Sequence, residues 1–256
     1  MKITGNTILI TGGGSGIGRG LAEAFHKLGN HVIIAGRRRQ ALEETVAANP
    51  GMSAVTLDIE DATNIRAFAE QLEKDYPAVN VVIHNAGIMR PEDLGARNYL
   101  ADAEAMITTN LLGPIRLNAV LLPQLGKQPH ATIMTVSSGL AFIPLALTPT
   151  YCATKAAIHS YSQSLRYQLK SSNIKVIEIV PPYVQTELMG SAQAADPRAM
   201  PLKDFLDEMI EILKTQTTAM EVLVDRVKPL RFSEQNGKEE YEAFFQTFND
   251  AAPHPN

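Results

Sequence analysis

The stretch Thr11-Gly12-Gly13-Gly14-Ser15-Gly16-Ile17-Gly18 separates a short apolar run, residues 7–10, from a segment with helical spacing, residues 17–28. Glycines at such a junction allow a tight turn and let the backbone approach a pyrophosphate closely. The first turn of a helix presents free N–H groups and a partial positive charge, which suit phosphate. A glycine-rich turn without a ligand is the alternative, but five glycines at a strand-to-helix junction favour nucleotide binding.

Beyond this loop the chain alternates between short apolar runs and helical patterns. Strands are predicted at residues 31–35, 54–57, 79–84, 132–136 and 175–180, and helices at 39–48, 63–75, 101–125 and 151–170. The helix at 101–125 is expected to be interrupted by Gly113-Pro114. Strands that alternate with helices of about ten or more residues indicate a parallel sheet covered on both faces. The sequence therefore predicts an α/β fold, a doubly wound, Rossmann-like parallel sheet in a single domain over residues 1–256.

The last part of the chain has a different pattern. We expect a mobile loop at residues 189–200, an amphipathic helix at 202–213, a short strand at 221–224 and a helix at 239–248. Residues 187–215 form the expected substrate loop and helix, which together with residues 139–147 would line a mostly apolar pocket. The sequence therefore favours a hydrophobic substrate.

Composition excludes several classes of protein. Of 256 residues, 45% are apolar and 20% are charged, and the net charge of −4 lacks the basic excess of a nucleic-acid-binding domain. A single cysteine, Cys152, excludes an intramolecular disulfide and a cysteine-cluster metal site, so we predict no metal. With no targeting segment and no membrane-length apolar run recognised, we expect a cytoplasmic protein that does not bind membranes.

An arginine run, Gly36-Arg37-Arg38-Arg39, follows the second predicted strand. Dinucleotide sites that take NAD commonly have an acidic residue there for the ribose 2′-hydroxyl. No Asp or Glu lies between Glu23 and Glu43, and a guanidinium suits a 2′-phosphate. A solvated basic turn is the alternative. The run favours NADP(H) over NAD(H) as cofactor.

Tyr151 and Lys155 lie four residues apart on a predicted helix and therefore share one face. A free tyrosine has a pKa near 10, and a nearby ammonium lowers it toward the range useful for acid–base catalysis. An exposed helix pair is the alternative for this spacing alone. Ser138 follows the fifth predicted strand, at the sheet edge where open α/β folds bind ligands.

Several motifs follow one another in a characteristic order between Thr11 and Thr186. They are Thr11-Gly12 with Gly16 and Gly18, Asn85-Ala86-Gly87, Asn110, Ser138, Tyr151 with Lys155, and Pro181 followed by Thr186. With this order and spacing the sequence resembles a short-chain dehydrogenase/reductase. Residues 138–142 and 151–157 are similar to a bacterial subgroup, the DltE-type oxidoreductases.

The resemblance implies a role for each catalytic residue. Tyr151 would be the general acid in reduction and the base in oxidation, and Ser138 would polarise the carbonyl. Lys155 would lower the pKa of Tyr151 and bind the nicotinamide ribose. Asn110 would hold a water in a proton relay to Lys155, although a helix-breaking polar residue at a local kink is the alternative.

The resemblance also implies where a dinucleotide binds. The glycine loop would line the pyrophosphate, the arginines would meet the 2′-phosphate, and residues after the sixth strand would contact the nicotinamide. Asp58 would sit at the adenine, with a strand-end turn as the alternative. The expected cofactor-binding residues, besides Tyr151 and Lys155, are Gly12, Ser15, Gly16, Ile17, Gly18, Arg37, Arg38, Asp58, Ile59, Asn85, Ala86, Gly87, Pro181, Val184 and Thr186.

Three features depart from the family pattern. His84 replaces an Asn and is expected to be a packed strand histidine, and Pro182 replaces a glycine near the nicotinamide. The C-terminus lacks the Val-Asp-Gly-Gly ending associated with tetramers, so we expect a homodimer through the long helices.

The sequence thus predicts an NADPH-dependent oxidoreductase acting on a small-molecule carbonyl or alcohol, with reduction of a hydrophobic ketone or aldehyde favoured. A nucleotide-sensing regulator with the same fold and no turnover is the alternative. A structural or interaction protein is a third possibility.

Overall fold

Seven parallel strands form one sheet in the order β3-β2-β1-β4-β5-β6-β7. The structure is a computed structural model that describes residues 1–96 and 98–252. The strands are β1 Thr7–Thr11, β2 His31–Gly36, β3 Ser53–Thr56, β4 Val79–His84, β5 Ala131–Val136, β6 Ile174–Ile179 and β7 Glu221–Val222. The strand order reverses between β1 and β4, which is where open α/β sheets leave a crevice at their carboxyl ends. The doubly wound parallel sheet predicted from the sequence is confirmed.

Helices cover both faces of this sheet. They are α1 Gly16–Lys27, α2 Arg39–Ala48, α3 Ala62–Asp75, α4 Leu100–Ile107, α5 Gly113–Gly126, α6 Pro149–Gln168, α7 Ser191–Ala194, α8 Leu202–Thr215, α9 Lys228–Arg231 and α10 Lys238–Asp250. Strands covered on both sides read as continuous apolar runs, because successive side chains enter opposite cores. In β1, Ile8 and Ile10 pack into one core with α1 and α8, whereas Leu9 packs into the other with α3 and α5. Each such buried aliphatic side chain stabilises the fold by roughly 1.5–3 kcal/mol.

The helix predicted at residues 101–125 continues through the expected interruption at Gly113-Pro114. Pro114 lies in the first turn of α5 and is the second residue after the preceding irregular turn. The irregularity lies one turn earlier, where a π-helical turn at Thr108–Leu112 joins α4 to α5. Such turns are rare and occur frequently at functional sites.

Among the described residues, one helical stretch, Leu100–Gly126, is long and apolar enough in composition to cross a membrane. The sequence did not suggest it, because Asn110 and Gly113-Pro114 interrupt the apolar run. In the structure 44% of its most apolar window is buried, and Met106, Leu117 and Leu121 pack into the protein interior. Core helices of other folds have the same composition.

The segment expected as a mobile loop, residues 189–200, contains the short helix α7. Buried Gln193 donates to the carbonyl of Val184 at 2.9 Å, and Val184 pairs with Met200 in an isolated bridge. These contacts tie both ends of the segment to the chain that follows β6. The strand expected at 221–224 ends at Val222, and the turns and α9 between it and α10 had no clear signal in the sequence.

Candidate active site

A cavity of about 1140 Å³ opens at the carboxyl ends of the strands around the β1–β4 crevice. Its walls come from the loops after β1, β2, β4, β5 and β6. The parallel sheet therefore brings together residues that are far apart in sequence, because every strand ends at the same edge. Expected site residues in its lining are Gly12, Ser15, Gly16, Ile17, Arg37, Arg38, Ile59, Asn85, Ala86, Gly87, Ser138, Tyr151, Lys155, Pro181, Val184 and Thr186.

The loop between β1 and α1 can be built only with glycines at certain positions. Gly12 and Gly16 have φ of +69° and +51°, in the left-handed region that side chains disfavour. A Cβ on Gly18 would lie 2.3 Å from Asn85 Nδ2, so this glycine lets α1 pack closely on the chain after β4. The start of α1 thus reaches the crevice with its first-turn N–H groups directed to the cavity end of the helix, as anion binding requires.

The chain after β4 is held against the glycine loop by Thr11. Its Oγ1 accepts hydrogen bonds from the backbone N–H groups of Asn85 and Ala86, both at 3.1 Å. Asn85 Nδ2 donates to the carbonyl of Thr11 at 3.1 Å. These contacts fix two walls of the cavity relative to each other.

Ser138, Tyr151 and Lys155 meet at the other end of the cavity. Ser138 follows β5, and its Oγ accepts from the backbone N–H of Leu140 at 3.1 Å. Tyr151 and Lys155 lie one turn apart on α6, and both are buried. Lys155 Nζ donates to the carbonyl of Val136 at 2.8 Å and lies 5.4 Å from the centre of the Tyr151 ring.

Burial dominates the electrostatics of this trio. It raises the pKa of the Tyr151 hydroxyl well above its ordinary value, and the Ser138 hydroxyl opposes that rise in part. Burial lowers the pKa of Lys155 to about 8, and the charge of Glu178 acts in the opposite direction. The resemblance implies that Lys155 lowers the pKa of Tyr151; in this structure burial has the largest influence on the hydroxyl and raises its pKa. The tyrosine therefore keeps its proton at neutral pH.

Asn110 lies in the π-helical turn, behind the cavity wall. Its amide makes two hydrogen bonds to the backbone of Ile88, both at 2.9 Å. Oδ1 accepts from the N–H, and Nδ2 donates to the carbonyl. Nδ2 also donates to Thr154 Oγ1 at 3.2 Å, next to Lys155. Gly87 is tightly enclosed here, since a Cβ would lie 3.3 Å from Asn110 Oδ1 and 3.7 Å from Lys155 Nζ. The side chain thus ties the π-helical turn, α6 and the loop after β4 together.

With this geometry in view, comparison with known proteins identifies the family. Residues 6–197 match the family model described as short chain dehydrogenase. The chain belongs to the short-chain dehydrogenase family. It is 39% identical over 254 residues to the uncharacterized oxidoreductase DltE of Bacillus subtilis (strain 168), a match that covers 97% of this chain and 98% of that protein. The resemblance to this family and to the DltE-type subgroup is therefore confirmed, and the chain is an oxidoreductase of that family.

Solved short-chain dehydrogenases share the fold. One from Burkholderia cenocepacia J2315, in complex with NADP, superposes with a TM-score of 0.79 at 23% identity and full coverage of both chains. One from Burkholderia phymatum, in complex with NAD, has a TM-score of 0.78 at 18% identity and covers 100% of this chain and 99% of that one. These likenesses establish the fold, and the two complexes contain different dinucleotides.

Within this short-chain dehydrogenase, the arginine run has unequal surroundings. Arg37 Nη1 donates to Glu60 Oε1 at 2.7 Å, whereas Arg38 Nη2 donates to Ser15 Oγ in the glycine loop at 2.6 Å. Arg39 pairs with Glu43 on the surface of α2 and lies outside the cavity lining. Arg38 is therefore the arginine of the run that reaches the glycine loop.

Three expected site residues lie outside the lining of the cavity: Gly18, Asp58 and Asn110. Gly18 allows close packing of α1. Asp58 Oδ1 accepts from the N–H of Glu60 at 3.1 Å, which is the turn role weighed as its alternative. His84 is buried in β4 with Nε2 2.7 Å from Asn118 Oδ1, so it packs as expected of a strand histidine. Pro182 lines the cavity beside Pro181.

The C-terminal helix contributes to the cavity, which the sequence did not predict. Phe248 of α10 lines it, together with Ala251 and Ala252. Asn249 Nδ2 donates to the carbonyl of Pro144 at 3.1 Å, and its Oδ1 accepts from Ala146 N at 2.6 Å. Apolar residues at helical spacing in α10 were a signal for packing, but nothing local in the sequence showed what they pack against.

Glu92 is a second contributor that sequence reasoning missed. This buried carboxylate accepts from both the N–H and the hydroxyl of Thr150, each at 2.8 Å. Thr150 stands in the first turn of α6, immediately before Tyr151, where a negative charge also suits the helix dipole. The loop after β4 thereby fixes the end of α6 that carries the tyrosine.

Proposed function

We propose that this protein is an NADPH-dependent reductase of a hydrophobic ketone or aldehyde, also able to oxidise the corresponding alcohol. The observation that carries the proposal is the convergence of Ser138, Tyr151 and Lys155 at one end of a cavity whose other end holds the glycine loop and Arg38. A nicotinamide dinucleotide, when bound, supplies or accepts the hydride. The chain's own residues must then bind the substrate oxygen and move the proton.

Tyr151 is the proton donor in the direction of reduction. Its phenol carries a proton at neutral pH and can give it to a carbonyl oxygen that gains negative charge. Because burial raises the pKa of the hydroxyl, this transfer depends on a cation that stabilises the phenolate. Ser138 donates a hydrogen bond to the same oxygen and orients it. Lys155 stabilises the phenolate left behind and, with its pKa of about 8, is largely an ammonium at neutral pH. In oxidation the phenolate takes the proton back from the alcohol. Asn110 supports this unit by tying the π-helical turn to the loop after β4, and we propose that it also holds a water that relays protons to Lys155.

The residues at the other end fit a dinucleotide. The positive φ angles of Gly12 and Gly16 make a cradle at the start of α1 for a pyrophosphate, with Ser15, Ile17 and Gly18 completing the loop. Arg38 reaches the same loop and suits a 2′-phosphate, and the end of β2 carries no acidic side chain for a free ribose hydroxyl. We therefore propose NADP(H) in preference to NAD(H). The remaining proposed contacts are Arg37, Asp58, Ile59, Asn85, Ala86, Gly87, Pro181, Val184 and Thr186.

The substrate end of the cavity supports an apolar substrate. Around Ser138 and Tyr151 the lining is largely aliphatic or aromatic, and the charged Asp196 is neutralised by Arg198 at 2.8 Å. A charged substrate would lose water against these apolar side chains. The lining residues that support this proposal are Leu140, Leu145, Leu147, Met189, Leu230 and Phe248.

The test is turnover of a panel of ketones and aldehydes with NADPH. Tyr151→Phe should lower kcat/KM by about 10²–10⁴-fold, since it removes the proton donor and little volume. The matched control is Tyr183→Phe, because this cavity tyrosine hydrogen-bonds Asp196 rather than Ser138 and its loss should change rates little. Equal rates for wild type and Tyr151→Phe would contradict the mechanism. Wild-type protein that binds NADPH but reduces no member of the panel would favour a nucleotide-sensing regulator.

We also propose that the protein is a homodimer through α4, α5 and α6. Leu100, Ile107 and Leu112 are 58%, 40% and 36% exposed on the joined α4–α5 stretch. The neighbouring α6 exposes small residues such as Ala153 and Ala156, which allow another helix to approach closely. An exposed apolar face of this kind is typical of a protein–protein interface.

A further inference from the structure

A buried carboxylate lies behind the candidate active site, on β6. Glu178 is 0% exposed, and its two oxygens lie 2.8 and 3.1 Å from His159 Nδ1. Lys155 and His159 are one turn apart on α6. Glu178 pairs in register with Thr135, the residue before Val136, whose carbonyl accepts from Lys155 Nζ. The carboxylate therefore lies under the two turns of α6 that carry Lys155 and His159.

The hydrogen bonds of His159 orient Glu178. Gln163 Nε2 lies 3.0 Å from His159 Nε2. With the amide nitrogen donating, Nε2 accepts and the ring hydrogen on Nδ1 faces Glu178. His159 thus holds the carboxylate in place on β6, beside the strand whose Val136 carbonyl accepts from Lys155.

A second carboxylate nearby already has a cation. Glu221 on β7 lies 3.9 Å from His159 Nδ1 and accepts two hydrogen bonds from Arg231, at 2.9 and 3.0 Å. The ligand atoms of His159, Glu178 and Glu221 lie within 4.8 Å of one another, a spacing that a divalent cation could use. The guanidinium of Arg231 supplies the positive charge at this position instead, so we assign no metal there.

The other cation near this cluster is also engaged. Arg166, further along α6, donates to the main-chain oxygens of Val176 and Met220, both at 3.0 Å. Lys155 also donates to a main-chain oxygen, that of Val136, so in the described part of the chain Glu178 acts on Lys155 through its charge rather than through a hydrogen bond. In agreement, the carboxylate raises the pKa of Lys155 against the larger lowering by burial.

We infer that Glu178 is a positioning residue for the reaction proposed above: its buried charge keeps Lys155 an ammonium, and His159 holds the carboxylate in place. The inference rests on the proposed function, in which Lys155 stabilises the phenolate of Tyr151. Without the carboxylate, burial alone acts on the lysine, which then releases its proton at lower pH. Tyr151 loses the neighbouring cation over that same pH range.

Glu178→Gln tests the inference, because the amide keeps a hydrogen-bond acceptor for His159 and removes the charge. The first readout is the titration of Lys155 in dinucleotide-free protein, followed by ¹³C NMR at Cε and assigned by its loss in Lys155→Arg. The second is the alkaline limb of kcat/KM for ketone reduction with NADPH. We expect the midpoint of the Lys155 titration and the alkaline limb of kcat/KM both to move to lower pH. A displacement of about one pH unit lowers kcat/KM about tenfold at pH values above the limb.

The matched control is Glu221→Gln, which removes one carboxylate from the same cluster where Arg231 neutralises it. It should leave both readouts close to those of the wild type. A Lys155 titration unchanged by Glu178→Gln would overturn the inference, and so would a displaced titration with an unmoved alkaline limb. If Glu178→Gln does not fold, Glu178→Asp should give a smaller displacement in the same direction, and no displacement would overturn the inference. Wild-type protein without turnover would count against the proposed function alone, because the NMR titration needs no dinucleotide.

Discussion

At the scale of single residues, His84 shows how burial produces a measurable dependence of stability on pH. The ring is buried in β4, Nε2 lies 2.7 Å from Asn118 Oδ1, and Nδ1 has no hydrogen-bond partner in the described part of the chain. Because Asn118 Oδ1 accepts, the ring hydrogen is on Nε2 and the folded state holds the neutral form. Burial lowers the pKa of His84 to about 4, from 6.5.

The sign of the effect follows from proton linkage. Between pH 6.5 and about 4 the unfolded chain binds a proton at His84 that the folded protein does not, so the free energy of unfolding falls as pH decreases through that window. Between about pH 7 and about pH 5, His84 alone should lower the free energy of unfolding by about 2 kcal/mol. We predict that His84→Asn, which keeps a polar partner for Asn118, removes this part of the slope.

The measurement is urea unfolding of both proteins at several pH values in this range. Carboxylates contribute equally to the two proteins, so the difference between their slopes isolates His84. Parallel stability curves for wild type and His84→Asn would contradict the assignment of a neutral buried ring.

At the same scale, the sequence predicted the catalytic side chains but not their proton affinities. Tyr151 and Lys155 share a helix face by spacing alone, and Ser138 follows a strand end. The pKa of Tyr151 depends on burial and on Ser138, and that of Lys155 on burial and on Glu178. These neighbours come from β5 and β6, and a single sequence does not show how closely they approach.

At the scale of elements, the turn between β2 and α2 bears on cofactor choice. A charge-assisted hydrogen bond to a phosphate is worth about 1.5–3 kcal/mol. We predict that Arg38→Ala weakens NADPH binding by about 10–100-fold and NADH binding much less, because NADH lacks the 2′-phosphate. Arg37→Ala should weaken NADPH binding less, because the guanidinium of Arg37 already forms an ion pair with Glu60. Fluorescence titration of both dinucleotides measures the ratio.

Arg39→Ala is the control for that prediction. It removes the same charge from the same helix end, yet Arg39 pairs with Glu43 and is outside the cavity lining. An equal loss of NADPH affinity in Arg38→Ala and Arg39→Ala would indicate general attraction of an anion by a basic turn. An unchanged NADPH-to-NADH ratio in Arg38→Ala would refute the proposed role.

Some element boundaries were predictable from apolar periodicity or from a capping residue. The predicted helix at 39–48 has the observed bounds, and Asp61 caps α3 by accepting from the N–H of Thr63 at 2.7 Å. A local kink at Asn110 was the alternative predicted for that residue, and the π-helical turn lies there; the sequence did not show that Asn110 bonds the backbone of Ile88. A pattern read along one helix does not include such a tertiary contact.

At the scale of the whole molecule, the order of motifs predicted the sheet because parallel strands must all end at one edge. The same argument does not apply to the chain beyond β7. There α10 is positioned by Tyr241, whose hydroxyl donates to the carbonyl of Phe142 at 3.3 Å, and by Asn249 on Pro144 and Ala146. These contacts cross about a hundred residues of sequence, so periodicity predicted the helix but not its place over the cavity.

The proposed dimer is the prediction that belongs to the whole molecule. Burying Leu100, Ile107 and Leu112 against a second copy would stabilise the dimer by about 25 cal/mol for each Å² of apolar area removed from water. A glutamate introduced at position 107 would be buried in the same interface without a partner for its charge. Light scattering of the wild type should therefore give twice 27.9 kDa, and Ile107→Glu should give the monomer mass at low micromolar concentration. Met220→Glu is the control, because Met220 is 59% exposed beside the edge strand β7 rather than on the joined α4–α5 stretch. An added charge disrupts association only where the surface is buried in the dimer. If the dimer persists in Ile107→Glu but dissociates in Met220→Glu, the interface lies at the sheet edge instead.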